Sequence, residues 1–166
     1  MRYQPEPRRS LLDRLIDREP ECPAEPVCSS RKSLNTLIDS VLRDLENLFN
    51  SRSFPIVNPR RGLAPHVPAP LVSHLQHSIL SYGSRDFSTD NPRSGRVQQA
   101  IRLEIIRLLD SFEPRLKDVT VSLGTTLGER TLNFRIEALL QVEPVALPTA
   151  FDTHFDINSG AYTILS

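Results

Sequence analysis

The apolar residues of this chain repeat at helical spacing up to Phe112 and at every second position from Val119 onward. A change of period from 3.6 to 2 divides a helical half from a stranded half. The switch occurs across Phe112-Glu113-Pro114-Arg115-Leu116-Lys117-Asp118-Val119. Pro114 cannot continue a helix and biases Glu113 away from helical backbone angles, so the helix must stop there. Helices followed by a run of alternating strands predict an α+β fold. In it, N-terminal helices pack on a mainly antiparallel sheet of about four strands formed by the C-terminal half. The same joint sets two opposite charges, Glu113 and Arg115, on either side of a rigid proline. Two readings are open at this point: a helix stop with solvated charges, or a fixed charged corner for a partner.

Upstream, Ser10 can cap a short amphipathic helix bearing Leu11, Leu12, Leu15 and Ile16. Two turns are too few to stand alone, so this helix must dock on something. Residues 19–32, with three prolines, read as a linker, which divides the chain into an arm (1–32) and a domain (33–166). From Ser33, an apolar stripe through Leu34, Leu37, Val41, Leu45, Leu48 and Phe49 marks a core helix. Residues 50–70 hold five prolines and three arginines and read as a long basic loop. A short helix is expected from Leu71 to about Ser81, with Gly83 near its end. Ser94 then caps a second long helix whose face carries Val97, Ile101, Ile105, Leu108 and Phe112.

In the second half, Val119, Val121 and Leu123 alternate with polar residues, and Gly124 and Gly128 bracket a turn. Leu132 to Val142 alternates as one long half-buried strand, broken by Glu143-Pro144. Phe151, Thr153, Phe155 and Ile157 mark the next strand, Asn158-Ser159-Gly160 a hairpin turn, and Tyr162 to Leu165 the last strand. If that last strand lies at a sheet edge, another chain can add a strand to it.

Composition narrows the function. Net charge is zero, but residues 52–116 carry nine Arg against five acids, and residues 143–166 carry three acids and no base. Eighteen of the twenty basic residues are Arg, which favours a protein-binding surface. With no Trp and three Tyr there is little aromatic interleaving for nucleic acid. No segment is apolar and long enough to span a bilayer, and no signal peptide core follows the N-terminus, so a cytoplasmic location is expected. Cys22 and Cys28 lack redox or zinc spacing, and His74 and His77, three apart, lack further ligands, so no metal and no cofactor are expected. No phosphate loop and no nucleophile elbow occur. Glu104 and Glu113 could be paired as hydrolase carboxylates, but nine helical residues separate them by about 13–14 Å, beyond the ~5–9.5 Å that glycoside hydrolysis uses. No catalytic residue is assigned, and the chain is not expected to be an enzyme.

The passage from Ala100-Ile101-Arg102 to Phe112-Glu113-Pro114-Arg115-Leu116-Lys117-Asp118-Val119 resembles the Glu-Pro-Arg region of the small baseplate proteins of contractile injection machines. Supporting stretches are Ser10 to Leu15, Ser40 to Arg52, Tyr82-Gly83 with Asp86-Phe87, Leu132 to Ala138, and Phe151-Asp152-Thr153. In order, they resemble the type VI secretion baseplate subunits called TssE over about residues 10–165. Ser84-Arg85 stand where that family usually has Leu-Pro. The resemblance implies a structural subunit that joins the TssF and TssG wedge proteins in a baseplate docked at the inner membrane. It also implies a strand-pairing platform on which sheath subunits (TssB/TssC) begin to polymerise, with TssK and the VgrG hub as further neighbours. Glu113, Pro114 and Arg115 match the assembly motif and are the expected partner-binding residues. The same role in a phage tail or an extracellular particle is the alternative. A peptidoglycan hydrolase, suggested by the family's historical lysozyme-like name, is the reading from another class.

Overall fold

The computed structural model describes residues 10, 15, 30–53, 74, 75, 78–124, 131–142 and 145–165. The Pro-rich linker before Ser30, the basic loop over 54–70, the turn at 125–130, Glu143-Pro144, and Cys22, Cys28, His66 and His77 lie outside the described residues. Of the short helix expected after Ser10, Leu15 is described; it is helical and exposed.

Helix α1 spans Ser30–Asn50 and begins three residues before the expected start. Leu37, Val41, Leu45, Leu48 and Phe49 are buried, as the apolar stripe predicts. Each such side chain contributes roughly 1.5–3 kcal/mol by leaving water. Helix α2 spans Gly95–Phe112 and buries Ile101, Ile105, Leu108 and Leu109. Ser94 takes the N-cap position, but its hydroxyl makes no cap bond; instead its carbonyl accepts from the amides of Val97 and Gln98. The short helix expected near 71–81 is described at His74 and Leu75 and as a 3-10 turn over Ile79–Ser81. The Ser78 hydroxyl accepts from the Leu80 amide and caps that turn.

Four strands, β1 Leu116–Leu123, β2 Thr131–Val142, β3 Val145–Asp156 and β4 Ala161–Leu165, form one antiparallel sheet in the order β1-β2-β3-β4. The α+β layout matches the change of hydrophobic period. Leu132, Phe134, Ile136, Ala138 and Leu140 turn one face of β2 to the core. Phe155 stacks near Tyr162 at 4.4 Å between ring centroids and meets the edge of Phe87 at 6.3 Å, which closes the core under the second half of the sheet.

Three features depart from the sequence pattern. First, β1 carries a bulge: Lys117 opposes Leu139 and Thr120 opposes Glu137, so β1 uses one residue more than β2 over that step. Asp118, with φ 51°, takes the left-handed conformation, which Asp tolerates better than most residues. The bulge resets the alternation, so Leu116 and Val121, five residues apart, are both buried; Leu123, in phase with Val121, is 44% exposed near the strand's end. Second, β3 starts at Val145, well before Phe151, and runs through Pro148. Third, β4 is an edge strand, but α1 already meets its outer side. Asn50 exchanges two hydrogen bonds with Tyr162: Nδ2 donates to the Tyr162 carbonyl at 2.9 Å, and Oδ1 accepts from its amide at 2.8 Å. Glu46 Oε1 accepts from the Ile164 amide at 3.4 Å. The expected place for an incoming strand is therefore occupied by the chain's own helix.

Candidate functional site

The joint between α2 and β1 is built by local backbone rules. The Glu113 amide still donates to the Leu109 carbonyl as the last helical bond. Its own φ of −121° and ψ of 77° leave the helix, as a residue before proline should. The Leu116 amide then donates to the Glu113 carbonyl at 3.1 Å, closing a turn over Pro114 and Arg115. The Arg115 carbonyl accepts from Gln141 on β2 at 2.8 Å, which seats the start of β1 in the sheet.

Within that turn the two charges face each other. Arg115 Nε donates to Glu113 Oε1 and Nη2 to Glu113 Oε2, both at 2.6 Å, a two-pronged fork. Nη2 also reaches Asp44 Oδ2 at 2.7 Å, and Nη1 reaches Ser40 Oγ at 3.4 Å, both on α1. Side-chain exposure is 5% for Glu113, 11% for Arg115 and 24% for Asp44. One guanidinium thus ties the end of α2, the start of β1 and the flank of α1. Burial alone would lower the Arg115 pKa, but the hydrogen bonds and charges of Glu113 and Asp44 outweigh it and hold the pKa above its ordinary value. Beside the cluster, burial pushes the Tyr82 hydroxyl above its usual pKa, and the charges of Asp44 and Glu113 push it further. The Tyr82 ring meets Phe112 edge-on at 5.3 Å.

The expected site residues therefore differ in what they present. Pro114 is exposed, as are Lys117 and Asp118 next to it, whereas Glu113 is buried. Asp44 and Ser40 were not singled out as site residues from the sequence. Their signal is spacing: they stand four apart on α1, each next to a member of the buried Val41 and Leu45 pair. Ser84 was also missed. It is buried, its hydroxyl donates to the Phe49 carbonyl at 2.8 Å, and it accepts from Arg52 Nη1 at 3.0 Å. Arg52 Nη2 continues to the Gly160 carbonyl at 2.7 Å and so links the end of α1 to the hairpin before β4. A leucine at position 84 could make neither polar bond.

Both carboxylates considered for hydrolysis hold arginines. Glu104 accepts from Arg107 at 2.8 and 3.1 Å, as Glu113 does from Arg115. Neither is offered as a proton donor to a cleft. Among the described residues there is no group of His, Cys, Asp and Glu able to hold a metal ion, and no helix is long and apolar enough to cross a membrane.

No curated protein matches the chain. Residues 35–145, which include most of α1 and all of α2, the ion-locked corner, β1 and β2, match the family described as Baseplate wedge protein gp25. That stretch is well over half of the 166 residues, and the chain belongs to the baseplate wedge protein gp25 family.

Proposed function

We propose that this chain is the TssE-type wedge subunit of a type VI secretion baseplate. In this reading it assembles with TssF and TssG and gives the sheath subunits TssB/TssC their first strand-pairing platform. The observation that carries it is family membership over residues 35–145, with the Glu113-Pro114-Arg115 corner inside that stretch. Wedge proteins are structural parts of a contractile machine, and the corner fits such a part. Its backbone is fixed by a desolvated ion cluster, while Pro114 stands outside and can pack against a neighbour. Glu113 and Arg115 set the shape of the docking surface, and Pro114 supplies its contact. The arm of residues 1–32 lies outside the family match, although Ser30–Lys32 already belong to helix α1.

Co-expression of the chain with TssF and TssG, followed by affinity purification, tests this function. Recovery of a stable complex that Pro114→Asp disrupts, with the thermal melt of the isolated chain unchanged, is the expected result. Failure of the wild-type chain to join TssF and TssG while it joins the wedge proteins of a tailed phage or extracellular particle would move it to that machine.

A further inference from the structure

The strand register arranges the outer face of the sheet, opposite the buried one, in rows. Arg135 of β2 stands between Ser122 of β1 and Asp152 of β3. The next row on that face holds Thr120, Glu137 and Ala150, and the one after it Lys117, Leu139 and Pro148. Thr120, Pro148 and Ala150 are small, so these rows lie low and floor a trough of about 410 Å³. Leu139, Pro148 and Ala150 make the floor apolar, and two carboxylates, Asp118 and Glu137, line it. Asp118 reaches the trough through the bulge in β1, where the extra residue in a left-handed conformation steps out of the alternation and re-aims its side chain.

The charges on this face follow a pattern that the chain completes only in part. Arg135 sits between Glu137 and Asp152, at 3.2 and 3.3 Å, so one pair of carboxylates already shares a guanidinium. The neighbouring pair, Glu137 and Asp118, does not. Among the described residues the Asp118 carboxylate makes no ion pair, and Lys117, exposed beside it, does not line the trough. Glu137 and Arg135 are both at least half exposed, where an ion pair exchanges partners at little cost. The trough also adjoins the corner. Pro114 and Asp118 are both exposed, and four residues of chain span at most about 14 Å. A segment that packs on Pro114 is therefore within a few residues of the trough.

We propose that the partner segment packed against Pro114 continues over the β1 bulge and sets an Arg or Lys side chain into this trough, its aliphatic stem on Leu139, Pro148 and Ala150 and its charge between Asp118 and Glu137. The apolar floor suits the stem of a long cationic side chain, and the two carboxylates reject an acidic one. Asp118 and Glu137 are thus specificity residues of the contact, and Pro114 is its anchor. This inference rests on the proposed function, in which the partner is a wedge protein, and it adds the charge that the partner must carry.

The test uses the full chain with purified TssF and TssG as the probe. In carboxyl footprinting, Asp118 and Glu137 should be labelled in the free chain and protected in the complex. Asp118→Asn and Glu137→Gln should each weaken binding at least about fivefold at low salt, and by less at high salt, where the attraction they remove is already screened. Asparagine tolerates the left-handed backbone at position 118, so the melt of that variant should match the wild type; Glu137→Gln, on a regular strand, reads the same contact without touching the bulge. Wild-type affinity in both variants, or both carboxylates still labelled in the complex, overturns the trough assignment and leaves the wedge function standing. Protection of both in the free chain, together with a dimer in sedimentation, gives the trough to a second copy and also overturns it. Failure of the wild-type chain to bind TssF and TssG overturns the proposed function and this inference with it.

Discussion

Replacing Arg115 with Met should destabilise the isolated chain by about 3–5 kcal/mol, the range for removing one partner of a buried ion pair. The size follows from what remains behind. Glu113, with 5% of its side chain exposed, would keep only the backbone amide of residue 115 as a donor, at 3.3 Å, after losing both prongs of the fork. Asp44, 24% exposed, can recover part of its hydration, which trims the total toward the lower end. For a chain of this size that loss corresponds to a fall in Tm of roughly 6–20 °C. The order of the single variants is diagnostic. Glu113→Gln should cost less than Arg115→Met, because Asp44 still balances the guanidinium, and Asp44→Asn should cost least, because the Glu113 fork survives. Urea unfolding followed by circular dichroism reads all three. An Arg115→Met variant within about 1 kcal/mol of wild type would falsify the claim that the cluster is desolvated and mutually dependent. Assembly defects in such variants are interpretable only below their melting range, since the corner holds the fold together.

Gly83→Ala should cost about 2–5 kcal/mol, the sum of a left-handed backbone at φ 98° and a Cβ that would sit 2.6 Å from the Ser51 carbonyl oxygen; a melt unchanged from wild type would mean that the α1 end and the Tyr82-Gly83 turn separate readily. Thr153→Val should stabilise the chain by up to about 1 kcal/mol, because Thr153 is fully buried and its hydroxyl has no hydrogen-bond partner among the described residues. A lower urea midpoint for that variant would mean that the hydroxyl is bonded in solution.

Fold class was legible because long helices and long strands repeat their periods often enough to count. The stripe on α1 and the alternation of β2 are regular, and the structure buries Leu37, Val41, Leu45, Leu48 and Phe49 of the one and Leu132, Phe134, Ile136, Ala138 and Leu140 of the other. The places where reading failed are those where one residue changes the phase. Asp118 inserts into β1 and sets Leu116 out of phase with Val119, Val121 and Leu123, which alternate as read, and Pro148 hides the first half of β3 because a proline in a strand is recognisable only once its open side is known. Legibility of the site split in the same way. Glu113, Pro114 and Arg115 stand together in the sequence, but Asp44 and Ser40 join them from 71 and 75 positions away, a tertiary contact that local spacing does not encode. The occupied edge of β4 was unreadable for the same reason.

The clasp between Asn50 and Tyr162 bears on how the chain acquires its structure. Its two bonds span 112 positions, and the neighbouring bond from Ile164 to Glu46 spans 118. Helix α1, made well before β4, can bury its flank and satisfy these polar ends only after that strand has been made. Such long-range closure carries a large loop entropy and slows folding. Until it occurs, the outward amides of Tyr162 and Ile164 lack their acceptors on α1. The outer edge of β4 is thus finished by the chain's own helix only when segments more than a hundred positions apart have met.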